Sequence, residues 1–260
     1  MDQALHDKLF DVRDRVVIVT GGTRGIGRAV AEGFVCGGAR VVVASRKPDA
    51  CEEAQAHLLG LAAKSGGDAL GVPAHMGDLD AAAMLVDRTV DRFGGVDVIV
   101  NNAANALTQP LGAFTAEAWQ KSFDVNLRGP VFLVQHALAH LERSEHAAIV
   151  NVISAGAFLF SANVAMYGAA KAAMMSFTRS MAADFAPRGI RVNALAPGTV
   201  DTDMVRANTP EAQKSMANAS FMRRAASPDE MVGPVLYLAS DASSFMTGQV
   251  LLVDGGLVPH

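Results

Sequence analysis

The chain has 260 residues, of which half are apolar, and its formal net charge is −4 at pH 7. This length allows one large hydrophobic core, so a single domain over residues 1–260 is predicted. The acidic balance argues against nucleic acid as the main partner, because nucleic-acid-binding domains normally carry a basic surface. The N-terminal segment has no apolar signal core, and no apolar run reaches the roughly 18 residues needed to span a bilayer. The two cysteines show no metal-ligand spacing. We therefore expect a cytoplasmic protein without a metal site or a membrane partner.

Short apolar runs alternate with longer helical patterns along the chain. The predicted strands cover residues 15–20, 40–45, 69–74, 96–101, 147–152, 190–195 and 249–254. The predicted helices cover residues 26–37, 49–65, 79–93, 115–142, 165–186 and 228–239. The strands are continuous apolar segments, which is typical of strands buried on both faces of a parallel sheet. The alternation predicts an α/β fold of the Rossmann type, with a doubly wound, seven-stranded parallel sheet and helices on both faces.

One helical segment, residues 202–226, interrupts this alternation. It follows the sixth strand, where the carboxyl edge of the sheet would hold a ligand. We therefore interpret residues 202–226 as a substrate lid.

A glycine-rich turn, TGGTRGIG over residues 20–27, joins the first strand to the first helix. Its glycines allow a tight turn and a close approach of backbone to a ligand, and the following helix N-terminus attracts a phosphate group. This context favours a dinucleotide site, although the glycine spacing differs from the common G-x-G-x-x-G. The residues assigned to it are Gly21, Thr23, Arg24, Gly25, Ile26 and Gly27.

The end of the second strand indicates which dinucleotide binds. An acidic residue there would bind the adenosine ribose hydroxyls, whereas an arginine accepts a 2′-phosphate. Here Ser45 and Arg46 occupy the strand tip, and Arg24 lies in the facing turn. The pattern predicts NADP(H) in preference to NAD(H), with NAD(H) still possible.

Polar side chains are expected to converge at the nicotinamide end of this site. Tyr167 and Lys171 are four residues apart and so lie on one face of the fifth long helix. Ser154 follows the fifth strand, and Asn126 lies on the helix before that strand. A tyrosine and a lysine four residues apart are common on helix surfaces. It is therefore the expected position of this pair, at the nicotinamide end of the site, that suggests catalysis.

Taken in order along the chain, these motifs resemble the short-chain dehydrogenase/reductase family. The matching features are TGGTRGIG, NNAA at 101–104, Asn126, Ser154, Tyr167-x-x-x-Lys171, and PGTVDT at 197–202. The resemblance implies hydride transfer between a nicotinamide and a carbonyl or secondary alcohol. It implies that Tyr167 is the general acid, Ser154 bonds the substrate oxygen and Asn126 holds a relay water. Lys171 is expected to bind the nicotinamide ribose and to lower the pKa of Tyr167 by its positive charge.

The resemblance also implies further cofactor contacts and a subgroup within the family. It places the nicotinamide carboxamide beside Pro197, Gly198 and Val200, and Thr202 at either the carboxamide or the pyrophosphate. It places the adenosine ribose beside Asn102 and Ala103, and the adenine beside His75 and Met76, through either the His75 side chain or the backbone alone. In the family, the asparagine equivalent to Asn102 mainly holds the sheet together. The chain departs from the family where Ala104 replaces a glycine and where His75 stands in place of an aspartate. The variant is similar to the carbonyl and retinal reductase branch.

The substrate and the assembly are less constrained. Phe158 and Met204 are candidates for the substrate site and equally for the core. Apolar residues nearly all around the helices at 115–142 and 165–186 predict self-association, and the resemblance suggests a homotetramer. Besides a carbonyl substrate, the alternatives are a 3-oxoacyl thioester, an NAD-preferring alcohol dehydrogenase, and a cofactor-binding regulator without turnover. A carrier-protein thioester would need a basic docking patch, for which the candidates are Arg128, Arg206, Arg223 and Arg224.

Overall fold

The computed structural model describes residues 8–160 and 163–258 and contains a seven-stranded parallel sheet. The strands are β1 (Val16–Thr20), β2 (Arg40–Ser45), β3 (Asp68–Pro73), β4 (Val98–Asn101), β5 (Ala148–Val152), β6 (Arg191–Pro197) and β7 (Val250–Val253). The helices are α1 (Gly25–Cys36), α2 (Pro48–Ser65), α3 (Leu79–Phe93), α4 (Ala116–Phe123), α5 (Gly129–Leu141), α6 (Ala165–Phe185), α7 (Asp203–Arg206), α8 (Pro210–Asn218) and α9 (Val232–Ala239).

The strand order is β3-β2-β1-β4-β5-β6-β7, so the direction of winding reverses between β1 and β4. All neighbouring strands pair in parallel, for example Val17 with Val41 and with Val98. In a sheet of this kind a ligand crevice forms at the carboxyl ends of the strands where the winding reverses. The predicted Rossmann-type fold is therefore confirmed, and the glycine-rich turn lies at this crevice.

Helices cover both faces of the sheet because each central strand is apolar on both sides. Val17 and Val19 of β1 pack into one core cluster with Phe34 of α1. Ile18, between them, packs into the other cluster with Leu133 of α5. Continuous β-branched runs are needed for this arrangement, since a polar alternate residue would face a helix layer.

The helix predicted over residues 115–142 is not continuous. It divides into α4 and α5, which are joined by a π-helical turn at Asp124–Arg128. At Gly129 a Cβ atom would overlap the carbonyl oxygen of Met76, so the loop after β3 approaches this point closely. Pro130 follows and has no N–H with which to continue the α-helical pattern. Pro130 was thus a sequence signal for a break in this helix, whereas the contact of the distant loop with Gly129 is not visible in the sequence pattern.

The segment at 202–226 is partly helical, as predicted, but it forms two short helices, α7 and α8, rather than one longer helix. A bridge between Val200 and Ala226 closes the base of this excursion. The helix predicted at 228–239 begins with a 3-10 turn at Pro228–Met231 before α9. Among the helices within 8–160 and 163–258, none combines the length and the apolar character required to cross a membrane.

Candidate functional site

The glycine-rich turn adopts a conformation that depends on its glycines. Gly21 and Gly25 have φ values of +65° and +53°, in the region that side chains disfavour. A Cβ atom on Gly27 would overlap the carbonyl oxygen of Gly21 and the side-chain amide of Asn102. The turn is therefore tightly folded against β1, and it directs the start of α1 towards the crevice.

The N-terminus of α1 has the features of an anion site. Arg24 precedes the helix in an extended conformation, and no side chain in the described parts of the chain caps the first turn. No acidic residue lies in that first turn. Its N–H groups and the positive end of the helix dipole are thus available to a phosphate group, which fits a dinucleotide pyrophosphate.

The two arginines predicted to share the 2′-phosphate site have different surroundings. Ser45 ends β2, and Arg46 is exposed beside it and makes no hydrogen bond or ion pair with the residues described. Arg24 instead pairs with Asp203 of α7 at 3.1 Å, with both side chains largely exposed. A carboxylate of the lid segment thus holds Arg24 in this structure, and its convergence with Arg46 on a 2′-phosphate stays a prediction.

Asn102 connects the end of β4 to the glycine-rich turn. Its side-chain amide donates to the carbonyl oxygens of Thr20 at 2.9 Å and Gly21 at 3.3 Å. The Thr20 hydroxyl in turn accepts from the backbone N–H groups of Asn102 and Ala103, each at 3.0 Å. These bonds agree with a structural role for Asn102, while the backbone at Ala103 lies beside the crevice.

The loops after β3 and β6 bring the other predicted cofactor residues to the same edge. His75 is exposed and its Nδ1 accepts from the backbone of Gly77, whereas the neighbouring Met76 is buried in the core. The buried position of Met76 leaves its backbone as the part that can approach a ligand.

The PGTVDT segment follows β6 and reaches the glycine-rich turn. A Cβ atom on Gly198 would lie 2.8 Å from the Cα of Asp254, so the chain after β7 packs directly on this segment. Thr202 donates its hydroxyl to the carbonyl of Val200 at 3.3 Å. Its methyl group would be 3.2 Å from a Cβ on Gly25, which places the start of the lid segment against the phosphate turn.

Ser154 and Tyr167 meet at the carboxyl end of β5. Ser154 caps the short 3-10 turn after the strand, where its hydroxyl accepts from the N–H of Gly156 at 3.0 Å. Tyr167 lies in the first turn of α6, and its phenol is close enough to Ser154 for that side chain to affect its pKa. Burial raises the pKa of Tyr167, and the interaction with Ser154 opposes this only in part. Without a cofactor, loss of solvent is the largest effect on this phenol. The expectation that the charges of Lys171 and of the oxidised nicotinamide lower the pKa of Tyr167 stays a prediction.

Lys171 is buried next to Tyr167. Its ammonium group donates to the backbone oxygen of Val152 at 2.8 Å and lies 5.6 Å from the centre of the Tyr167 ring. Burial lowers the pKa of Lys171 from 10.5 to about 8. A buried cation with one carbonyl partner is costly, and it is usually retained where its charge has a function.

Asn126 lies in the π-helical turn and is fully buried. Its amide donates to the backbone oxygen of Asn105 at 2.8 Å and to that of Ser122 at 2.9 Å, and its Oδ1 accepts from the N–H of Asn105 at 3.3 Å. Turns of this type are frequent at functional sites. Sequence reasoning did not identify Asn105 as a partner of Asn126. The only available signal was its position directly after NNAA.

The two substrate candidates have different environments. Phe158 packs against the apolar cluster that contains Ile153, Met174 and Ala196. Met204 is exposed on α7, in the lid segment. Phe158 is thus half-buried at the edge of the core, and a direct role in substrate binding remains a prediction for both residues.

Residues 21–258 match a family model described as enoyl-(acyl carrier protein) reductase. The chain is 39% identical over 250 residues to an L-rhamnose 1-dehydrogenase (NAD(P)+) of Azotobacter vinelandii, covering 94% of this chain and 96% of that protein. It is 35% identical to a 3-oxoacyl-[acyl-carrier-protein] reductase of Synechocystis, over 94% of this chain and 97% of the relative. A short-chain type dehydrogenase/reductase of Mycobacterium marinum superposes with a TM-score of 0.90 at 30% identity, covering 97% and 99% of the two chains.

These likenesses extend over nearly the whole chain and agree with the fold and with the order of the sequence motifs. The named relatives are dehydrogenases and reductases, and one carries a nicotinamide cofactor in its name. The chain belongs to the short-chain dehydrogenase/reductase family and is an oxidoreductase that acts on a CH–OH/C=O pair of a small molecule with a nicotinamide cofactor.

Proposed function

We propose that the protein is an NADP(H)-dependent oxidoreductase that interconverts a carbonyl and a secondary alcohol, with Tyr167 as the general acid and base. The observation that carries this proposal is the buried Lys171 ammonium, which is held by the carbonyl of Val152 and lies 5.6 Å from the centre of the Tyr167 ring. In this proposal Tyr167 is the acid, Ser154 the hydrogen-bond donor and Lys171 the cation, and the anion site of α1 at the same carboxyl edge of the sheet binds the cofactor.

The surroundings of Tyr167 suit proton donation. A bound nicotinamide supplies or accepts the hydride. Because burial raises the pKa of Tyr167, its phenol is protonated at neutral pH and can donate to a carbonyl oxygen as negative charge develops there. Ser154 stabilises the same charge by a hydrogen bond. In the direction of alcohol oxidation, the charge of Lys171 helps Tyr167 to release its proton.

Asn126 contributes by its position in this scheme. Its side-chain amide is already bonded to Asn105 and Ser122, so a relay water near it would bind backbone atoms of the π-helical turn. We therefore assign to the Asn126 side chain the role of holding this turn against the loop after β4.

NADP(H) is the cofactor that the charges favour. Arg46 lies at the tip of β2 without a carboxylate partner among the described residues, which suits a dianionic 2′-phosphate. Arg24 is held by Asp203, but exposed ion pairs are weak and exchange readily. Arg46 is thus the main determinant of cofactor choice in this proposal. Arg24 is a second candidate ligand of the 2′-phosphate, once its ion pair with Asp203 opens.

The substrate class that we favour is a small carbonyl compound rather than a carrier-bound thioester. Three of the four arginines considered for a docking patch pair with neighbouring carboxylates: Arg128 with Asp124, Arg206 with Asp201, and Arg224 with Glu230. This pairing neutralises much of the basic surface that an acidic carrier protein would require. The segment at 202–226 would act as the lid over the substrate.

Exposed aromatic side chains support a homotetramer as the working assembly. Trp119 of α4, Phe132 of α5 and Phe177 of α6 are each more than two-fifths exposed. Large apolar side chains on adjacent helices are typical of a self-association surface. Light scattering coupled to size-exclusion chromatography measures the assembly directly, and a monomer would contradict this part of the proposal.

The catalytic assignment is tested by Tyr167→Phe. We expect turnover of NADPH with a panel of ketones, aldehydes and 3-oxoacyl thioesters to fall at least a hundredfold. Cofactor affinity, measured by NADPH fluorescence, should remain within a fewfold of the starting value. Tyr237→Phe is the matched control, because this other tyrosine lies on α9, half-buried against the opposite core cluster from the site. Near-normal turnover in Tyr167→Phe would contradict the assignment.

The cofactor assignment is tested by Arg46→Asp combined with Arg24→Ala. The ratio of kcat/KM for NADPH to that for NADH should swing towards NADH, because a carboxylate replaces the 2′-phosphate ligand. An unchanged ratio in the double variant would refute the role of the two arginines in cofactor choice.

A further inference from the structure

Three buried polar side chains are linked by hydrogen bonds below Tyr167 and Lys171. The amide of Asn101, at the end of β4, donates to Oδ1 of Asn151 in β5 at 2.9 Å. The amide of Asn151 donates to the hydroxyl of Thr178 on α6, also at 2.9 Å. That hydroxyl donates to the backbone oxygen of Met174 at 2.9 Å. We refer to Asn101, Asn151 and Thr178 as the amide relay.

The amide relay stands where apolar residues would be expected. Asn101 and Asn151 are paired across β4 and β5, and the equivalent pair two residues earlier is Ile99 with Ile149. All three side chains are at least 96% buried, and Oδ1 of Asn101 has no hydrogen-bond partner among the described residues. A buried polar chain that is incompletely satisfied adds less stability than well-packed apolar side chains. The amide relay is therefore expected to contribute to the geometry of the site rather than to the stability of the fold.

The geometry that the amide relay fixes is that of α6 on β5. Thr178 lies seven residues after Lys171, so both side chains face the sheet from the same side of α6, two turns apart. Lys171 bonds to the carbonyl of Val152, and Thr178 accepts from the side chain of the preceding residue, Asn151. Two directional bonds about 10 Å apart along a helix fix both its axial position and its rotation.

Apolar contacts alone do not fix these two quantities as tightly. Met174, between the two anchors, is a flexible side chain that adapts to small shifts of a helix. Tyr167 lies one turn before Lys171, at the end of α6 that extends over Ser154. A rotation of α6 would move the Tyr167 hydroxyl relative to Ser154, which is fixed to the end of β5.

We propose that Asn101, Asn151 and Thr178 are positioning residues that hold Tyr167 and Lys171 in register with Ser154. This inference rests on the proposed function, because it assumes that Tyr167 and Lys171 perform the chemistry. No residue of the amide relay touches substrate in this scheme. Each acts through the placement of α6.

The test uses the fact that the chain has only two tyrosines. In a Tyr237→Phe background, the ultraviolet absorbance of tyrosinate reports the pKa of Tyr167 alone, without substrate or cofactor. Thr178→Val removes the hydroxyl and keeps the side-chain shape, whereas Thr178→Ser keeps the hydroxyl. Thr89→Val is the matched control, because Thr89 is equally buried and donates to Leu85 in the same way, but lies on α3.

We expect Thr178→Val to lower the pKa of Tyr167 by half a unit or more, because a displaced α6 exposes the phenol to water. We expect kcat to fall about tenfold with KM within twofold, since misplacement of a reacting group affects the chemical step. Thr178→Ser should restore both values, and Thr89→Val should change neither. If Thr178→Val does not fold, Asn101→Ala breaks the relay at its far end and should show the same changes to a smaller degree.

A variant that loses only thermal stability, with the pKa of Tyr167 and kcat unchanged, would overturn the proposal. So would equal effects of Thr178→Val and Thr89→Val. The titration requires no turnover, so it remains decisive even if the wild-type protein reduces none of the carbonyls in the panel. That result would instead count against the proposed function.

Discussion

Replacing Lys171 by methionine should stabilise the protein while removing its activity. The side chain is buried, and its pKa is lowered to about 8 from the ordinary value of 10.5. A depressed lysine pKa means that the unfolded state binds more protons than the folded state between these two values. Below pH 8 the folded protein therefore carries the full cost of the buried charge, which is about 3 kcal/mol for this shift.

Methionine has a similar volume and no charge, so the variant avoids that cost. It also leaves the carbonyl of Val152 without the 2.8 Å bond from Lys171, at a cost of about 1–2 kcal/mol. The net gain in the free energy of unfolding at pH 7 is then about 1–2 kcal/mol in favour of Lys171→Met.

The pH dependence separates this explanation from a general packing effect. As the pH rises from 7 to 9.5, wild-type Lys171 loses its proton in the folded state and its penalty falls by about 2 kcal/mol. Urea unfolding of both proteins at pH 7, 8 and 9.5 should show the stability advantage of Lys171→Met shrink or reverse over this range. A difference in stability that is constant with pH would refute the reasoning, because packing does not titrate.

Three further predictions concern the cofactor site and a nearby helix. Asp203→Asn releases Arg24 from its ion pair and should raise the NADPH-to-NADH ratio of kcat/KM a fewfold. An unchanged ratio would show that Arg24 has no role in cofactor choice. Gly27→Ala should abolish cofactor binding, measured by NADPH fluorescence, because its Cβ would overlap the amide of Asn102, and tight binding by this variant would contradict the close-packed turn. Asp78→Ala removes the side chain that caps α3. This variant should lower the free energy of unfolding by about 1 kcal/mol and leave turnover unchanged. A loss of turnover in a stable variant would count against a purely structural role for Asp78.

Local patterns were sufficient to predict the fold. The strands of the sheet are continuous apolar runs, and the glycines of the turn occupy positions where φ is positive or where a Cβ would overlap neighbouring atoms. The apolar runs and the positive φ values depend on residue type and on neighbours close in sequence, whereas the overlap at Gly27 also involves the distant Asn102. The spacing of Tyr167 and Lys171 likewise places them on one helix face whatever surrounds that helix.

Contacts between distant segments decided what the patterns did not reveal. The division of the predicted helix at 115–142 depends on the approach of Met76 to Gly129. The partner of Arg24 is Asp203, which is 179 residues away. No periodicity encodes either contact.

The electrostatics of the site also depended on the folded structure. From the sequence, the charge of Lys171 was expected to lower the pKa of Tyr167, yet burial raises it. A pKa depends on how much solvent the fold removes, and this is a property of all the packed layers together.

The sequence by itself determined the class of fold, the family and the chemical groups at the site, because these follow from residue types at fixed spacings. The tertiary structure decided which of those groups are charged, what holds them, and how α6 is placed over β5. The amide relay illustrates the difference: Asn101, Asn151 and Thr178 are ordinary residues in three separate segments. Only the pairing of β4 with β5 and the packing of α6 on that sheet bring Asn151 within 2.9 Å of both Asn101 and Thr178.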